Sequence, residues 1–200
     1  AGGFAKEVYA TIQQIGGYEI CGFIDKAAGP DSIIAGKAIP IVAEETLHGM
    51  KDEFCLAMGV GAPSLISKLA ARLEKHEFPN LIHPSVVGNF PDITMGRGNI
   101  VTANCVFTTS ITIGDFNIFN LCCTVGHDAV IGNCNVINPT VNISGGVVLG
   151  DNNLIGVNAT ILQYKKVGSN SIIGASSLVT KDVPDNVTVV GIPAVKIANR

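Results

Sequence analysis

His127 followed by Asp128 is the pair in this chain best suited to chemistry. An unperturbed imidazole has a pKa of about 6.5, so near neutral pH it can take a proton from an attacking amine or hydroxyl. On residue type alone, a solvated surface histidine is the plainer reading. Gly2-Gly3 ahead of a helix start is a second candidate, because exposed N–H groups at a helix N-terminus can hold a phosphate. The full G-x-G-x-x-G pattern is missing, which argues against a dinucleotide. Asp25-Lys26 closes a strand-like run and reads first as a charged turn.

The elements that must position these residues are announced by a period. Every sixth residue from Met95 to Val179 is apolar, without exception. With about half the residues apolar, chance gives such a run odds of roughly one in tens of thousands. Met95, Ile113, Ile131, Leu149 and Val167 stand one every third step and are each followed by Gly. Self-similarity of this kind predicts a parallel β-helix of hexapeptide type, with three short strands per coil. Small residues two before comb positions (Ala129, Val141, Val147, Ala159) are expected to line the same narrow prism. Glycines just after comb residues, such as Gly126, Gly132 and Gly156, are expected to supply the unusual backbone angles of corners. His127, two past Val125, falls near a corner. Flat prism faces invite self-association, and a homotrimer is the expected solution.

Residues 1–78 lack the comb. Phe4 to Ile15 and Leu65 to Leu73 carry apolar residues at helical spacing, the first stopped by Gly16-Gly17. Tyr18 to Ile24 and Phe54 to Met58 read as strands, which predicts a small parallel sheet with crossover helices. Phe78-Pro79 marks the expected boundary, giving an α/β unit over 1–78 and a solenoid with its closing segment over 79–200.

Several functions are excluded or disfavoured by composition. A net charge of −3, three tyrosines and no tryptophan give no electrostatic footprint or stacking platform for nucleic acid. No window is apolar for long enough to span a membrane. A zinc site would need three histidines from neighbouring coils, and the repeat from Met95 to Val179 holds only His127, so no metal is expected. His83, before Pro84, suits an extended structural step, while His48 and His76 read as surface residues. The six cysteines show no C-x-x-C spacing and are expected to be reduced and buried, in a cytoplasmic protein.

Six segments together resemble the hexapeptide-repeat acyltransferases, and among them the bacterial sugar O-/N-acetyltransferases. They are the stretch from Ala1 to Val8, Gly22-Phe23-Ile24-Asp25, Ile82-His83-Pro84-Ser85, Gly126 to Gly132, Pro139 with Ser144-Gly145-Gly146-Val147, and Gly191-Ile192-Pro193-Ala194. The resemblance implies a Rossmann-like α/β domain followed by a left-handed parallel β-helix. The left hand comes from the resemblance alone, since the usual crossover rule predicts the opposite. It also places a strand immediately before the glycines, so the first domain is expected to be truncated at its start.

By the same resemblance, His127 is the general base and Asp128 orients its ring or raises its basicity. Aspartate is shorter than the more usual glutamate, so a direct contact is not implied. Acetyl-coenzyme A is the implied donor, lying between two subunits and touching mainly backbone at Gly145, Val157 and Ala175. Gly145 is a candidate oxyanion donor as well. Many relatives carry a second histidine near the coenzyme where this chain has Val136. Gly2, Gly3 and Phe4, with Asp25 and Lys26, form the implied acceptor site. The expected acceptor is a nucleotide-linked amino sugar; the alternatives are O-acetylation of a sialic acid and a non-catalytic trimeric sugar-binding scaffold.

Overall fold

The computed structural model describes residues 2–49 and 54–197. Two helices and a three-stranded sheet come first: α1 (Gly3–Ile15), β1 (Phe23–Asp25), β2 (Gly29–Ile34), β3 (Lys37–Ala43) and α2 (Pro63–Arg72). Helix α1 begins at Gly2 and stops at Gly16, whose φ of 73° leaves helical geometry. Pro63 opens α2, where its missing N–H costs nothing.

The sheet departs from the expected parallel arrangement. β1 pairs with β3 in parallel, but β2 folds back on β3 as an antiparallel hairpin. Ala35 and Gly36, both at positive φ, make the tight two-residue turn that such hairpins require. The strand expected over Tyr18 to Ile24 shrinks to β1, and Phe54 to Met58 forms no strand among the described residues. Leu56 and Met58 are apolar because they are buried in the core, not because a ladder holds them.

From Leu81 onward the chain winds as a prism of three sheets, with eight, six and five strands. Ladder partners are parallel and 18 residues apart, as in Ile118 with Val136 and Thr124 with Asn142. Comb residues from Val101 to Val179 point inward and are buried, as are Ala129, Val141, Val147 and Ala159, while Met95 at the first step is half-buried. The expected lining is therefore observed. Phe107 and Phe119 meet edge to face at 5.0 Å inside the early coils. No helix among the described residues is long and apolar enough to cross a membrane.

Two features of the prism differ from the sequence expectation or were not foreseen. The positive φ of each corner falls three residues past the comb, at Asn104, Asp128, Thr140, Gly146, Asn152 and their equivalents, not at the glycines just after it. Those glycines are required for close approach between coils. A Cβ on Gly126 would stand 2.5 Å from Gly145 N, and one on Gly132 would stand 2.9 Å from Gly150 C. The second feature is a column of buried asparagines, Asn99, Asn117, Asn135 and Asn153, each one coil above the last. The Oδ1 of Asn117 accepts from both the backbone N and the Nδ2 of Asn135, at 3.0 Å each. Asn117 in turn donates to Asn99 Oδ1 and to Gly132 O. The column supplies the polar partners that a buried corner needs.

Part of the outer surface of the eight-stranded sheet is covered by the amino-terminal residues, whereas Ile172, on a later strand, stays exposed. Ile100, Ile118 and Val136 share one buried cluster with Val8, Met58, Ile66 and Phe78. Val136 is thus a packing residue beneath the amino-terminal unit. His83 ties the two parts: its Nδ1 accepts from the Ser85 N–H at 3.1 Å, and its Nε2 meets Gln14 Oε1 of α1 at 2.7 Å. That is the structural role its place before Pro84 suggested.

Candidate active site

The corner carrying His127 joins the strand Thr124–Val125 to the strand Val130–Ile131. Ala129 anchors it by filling the interior, with no exposure at all. Asp128 takes the left-handed conformation, φ 59°, which aspartate tolerates better than most residues. Asp128 N donates to Thr109 O one coil below, and Gly146 N donates to His127 O from one coil above. The pair is therefore clamped through its backbone on both sides.

The side chains of His127 and Asp128 are both more than half exposed, and they touch. His127 Nδ1 lies 2.7 Å from Asp128 Oδ2. A carboxylate can only accept, so Nδ1 carries the proton and the Nε2 lone pair is left for chemistry. Aspartate, though shorter than glutamate, reaches because it follows His127 directly at an αL corner. The ring leans toward Gly145, where a Cβ would stand 2.5 Å from Nε2.

Gly145 differs from its counterparts at another edge of the prism. There the N–H groups of Arg97, Asp115, Asn133 and Asp151 each donate to a side chain one coil above. The N–H of Gly145 makes no such bond among the described residues, while its carbonyl accepts from Tyr164 N at 3.0 Å. An imidazole with a free Nε2 beside an uncommitted backbone N–H is an arrangement that can remove a proton and receive negative charge.

Other expected positions are not gathered here. Val157 and Ala175 sit on a different corner, at the opposite end of the six-stranded sheet from Gly145. One chain therefore does not bring the three expected donor contacts together. Gly2 and Gly3 are exposed at the start of α1, with open space where their Cβ atoms would be. Phe4 turns its side chain against the buried cluster, so of that residue only the backbone faces the helix start. Asp25 and Lys26 are exposed at the end of β1, where Asp25 Oδ1 accepts from Lys26 N at 2.8 Å. Tyr9 and Phe23, 6.1 Å apart, hold α1 against β1.

The cysteines divide evenly, correcting the expectation that they are buried. Cys21, Cys55 and Cys122 are exposed; Cys105, Cys123 and Cys134 are buried; all six are free. His76 is half-buried beside the Phe54 ring, and the side chain of His48 lies outside the described residues. Among the described residues no cluster of three or more His, Cys, Asp or Glu is placed to hold a metal ion.

Two neighbours of the pair escaped the sequence reading. Asp92 accepts from the hydroxyls of Thr109 and Ser110 and from the Ser110 N–H, and those two residues lie one coil below His127-Asp128. The Thr109 hydroxyl, then Ser110, hold its carboxyl below the ordinary value. Tyr164 stands one coil above Gly146 with its ring in solvent. Asp92 lies 36 residues before Asp128 and Tyr164 lies 18 after Gly146, so whole-coil spacing was the available signal for both.

Comparison with known proteins places this geometry. Residues 1–73 match the family model of the PglD N-terminal domain. No curated protein matches in sequence. A histidine-to-asparagine variant of perosamine N-acetyltransferase from Caulobacter crescentus, in complex with CoA and GDP-perosamine, superposes with a TM-score of 0.90 and 27% identity, covering 99% of this chain and 94% of that one. The acetyltransferase domain of PglB from Neisseria gonorrhoeae FA1090, in complex with acetyl coenzyme A, gives 0.86 and 27%, covering 97% and 93%. WeeI from Acinetobacter baumannii AYE gives 0.87 and 26%, covering 98% and 96%. An α/β unit leading into a left-handed parallel β-helix is the shared architecture. With this amino-terminal match and this fold along its length, the chain is an acetyltransferase that resembles the hexapeptide-repeat sugar acetyltransferases.

Proposed function

We propose that this chain transfers the acetyl group of acetyl-coenzyme A to the amino group of a nucleotide-linked amino sugar, with His127 as general base. The observation that carries the reading is the pinned imidazole: Nδ1 held by Asp128 at 2.7 Å and Nε2 turned over Gly145. His127 Nε2 takes the proton of the attacking amine as its nitrogen bonds to the thioester carbon. Gly145 N–H receives the charge that develops on the carbonyl oxygen. Collapse breaks the C–S bond, and the His127 imidazolium returns its proton to the departing thiolate. Asp128 keeps the correct tautomer throughout and stabilises the imidazolium.

The acceptor nucleotide is assigned to Gly2, Gly3, the Phe4 backbone, Asp25 and Lys26. The open start of α1 suits a diphosphate, and Asp25-Lys26 offers an acceptor and a cation beside it. The amino-sugar class is supported by the relative crystallised with CoA and GDP-perosamine. The separation of Gly145 from Val157 and Ala175 supports a donor site shared by two protomers of a homotrimer. Exposed Val106, Val130 and Val148 on the outer faces flanking this edge are the surfaces that such packing would cover.

The test is acetyl transfer followed by thiol release, with UDP- and GDP-linked 4-amino sugars, sialic acids and simple amines as acceptors. Turnover is expected with a nucleotide-linked amino sugar. Turnover with sialic acids alone, or with no acceptor despite bound acetyl-coenzyme A, overturns the reading.

A further inference from the structure

Two aromatic residues occupy left-handed corners of the prism, Phe116 at φ 57° and Tyr164 at φ 58°. A bulky side chain in that conformation is an outlier; Asn104, Asn152, Asn158, Asn170 and Asn186 hold equivalent corners more comfortably. Both rings do the same thing next. Each lies over a glycine one coil below that itself has positive φ, Gly98 under Phe116 and Gly146 under Tyr164. A Cβ on either glycine would come within 2.5 Å of the ring above it.

The two rings differ in what covers their outer faces. Phe116 is 4% exposed, packed edge to face against Phe78 at 5.0 Å and under the Arg97 guanidinium at 5.4 Å. The amino-terminal unit therefore accounts for its strained corner. Tyr164 is 69% exposed and has no such cover. Strained backbone that the fold itself does not explain gathers at functional sites.

Its position says what the cover is. Coils stack about 4.8 Å apart, so Tyr164 stands about 10 Å above Asp128, with only the Gly145-Gly146 coil between. Its ring thus bounds the notch whose other wall is His127. The charge along this side is asymmetric. Below the histidine lies the Asp92 carboxylate; Lys165 and Lys166 follow Tyr164 in its own coil and Lys181 lies one coil above, with the Asp182 carboxylate accepting from Lys166 N. A donor with its thioester at Nε2 and its phosphates drawn to the lysines must run its arm past the phenol ring.

We propose that the uncovered ring of Tyr164 packs against the thioester arm of the acyl donor and positions its carbonyl beside His127. The proposal rests on the acetyl-coenzyme A reading above and makes Tyr164 a positioning residue. Tyr164→Asn is the informative variant, because asparagine suits the left-handed corner and leaves the fold intact. Calorimetric titration of the full chain with acetyl-coenzyme A, without acceptor, should show at least tenfold weaker binding for Tyr164→Asn. Tyr164→Phe should bind within twofold of the parent, since the ring and not the hydroxyl makes the contact. In turnover, Tyr164→Asn should raise the KM for donor by a similar factor and lower kcat at saturation several-fold, since a donor carbonyl that is no longer held beside His127 reacts more slowly.

Equal donor affinity in the parent and Tyr164→Asn overturns the role of Tyr164 and leaves the acetyltransferase reading standing. A parent chain that binds no acetyl-coenzyme A overturns both. Conversion of the assembly to a smaller species by Tyr164→Asn, in sedimentation, identifies a second copy of the chain as the cover and also overturns the proposal.

Discussion

The imidazole of His127 occupies the space that a side chain at position 145 would need. Its Nε2 lies 2.5 Å from where a Cβ on Gly145 would stand, and Cε1 lies 2.7 Å away. Gly145→Ala must therefore push the ring off the notch, although φ there is not in the left-handed region and the backbone tolerates alanine. The expected result is a fall in kcat of about 10²-fold, while stability changes little. Turnover within a few-fold of the parent would show that the ring has another productive seat.

Removal of the imidazole itself should be the larger catalytic loss. His127→Ala is expected to lower kcat by about 10²–10⁴-fold and to leave donor affinity nearly unchanged. Asp128→Asn keeps a side chain that can bond Nδ1 but can also donate to it, favouring the wrong tautomer. It should lose less, about 10-fold to 10²-fold. Steady-state kinetics on both variants, with donor binding by calorimetry, check the pair.

The asparagine column should carry stability, not activity. Asn117→Ala removes the acceptor for Asn135 N and Nδ2 and the donors to Asn99 and Gly132, all in the dry interior. Each orphaned buried group costs about 1–3 kcal/mol. In a chain of this size, each kcal/mol lowers Tm by roughly 2–4 °C. Thermal unfolding should show a fall of that order or more, and a Tm within a degree of the parent would refute the column's role.

Thiol reactivity should follow the observed burial. Cys21, Cys55 and Cys122 are exposed and should react promptly with an aromatic disulfide reagent under native conditions. Cys105, Cys123 and Cys134 should react only on unfolding. Burial pushes the Cys134 thiol up to about 11, and the neighbouring Cys105 sulfur, with burial, pushes Cys123 up as well. Neither forms thiolate near neutral pH, which blocks reaction a second way. A fourth fast thiol would contradict this packing.

Asp92 gives a pH signature. Its carboxyl is held below its ordinary value of 3.8, first by the Thr109 hydroxyl and then by Ser110. A depressed native pKa adds stability that is full above the unfolded value and is lost as pH falls through the native one. The stability gap between the parent and Asp92→Asn should therefore be complete near neutrality and close below about pH 3.8. Urea unfolding at neutral and acid pH measures it; a gap that widens in acid would refute the assignment.

Much of the scaffold was legible because a repeat leaves little freedom. Once every sixth residue is apolar from Met95 to Val179, inward and outward positions follow, as do the coil and its 18-residue ladders. The start of α1 at Gly2 and its stop at Gly16 were equally local matters. His127 stood out because it is the only histidine between Met95 and Val179. The hairpin of β2 and β3 was missed because its signal is a single Ala-Gly pair. The run from Phe54 to Met58 misled because burial, not pairing, explains its apolar residues.

What the sequence determined by itself was thus the period, the helix ends and a lone histidine within the repeat. Tertiary structure decided which residues meet. Neighbours in the prism are 18 residues apart, so a contact depends on register and side-chain direction, neither of which composition or local propensity reveals. Only the stacked coils put His127 Nε2 over Gly145, placed Tyr164 over Gly146, and sent Val157 and Ala175 to the far end of their sheet. Only they showed that glycine after the comb is demanded by the coil above it, since a Cβ there would collide with backbone that no nearby residue in sequence supplies.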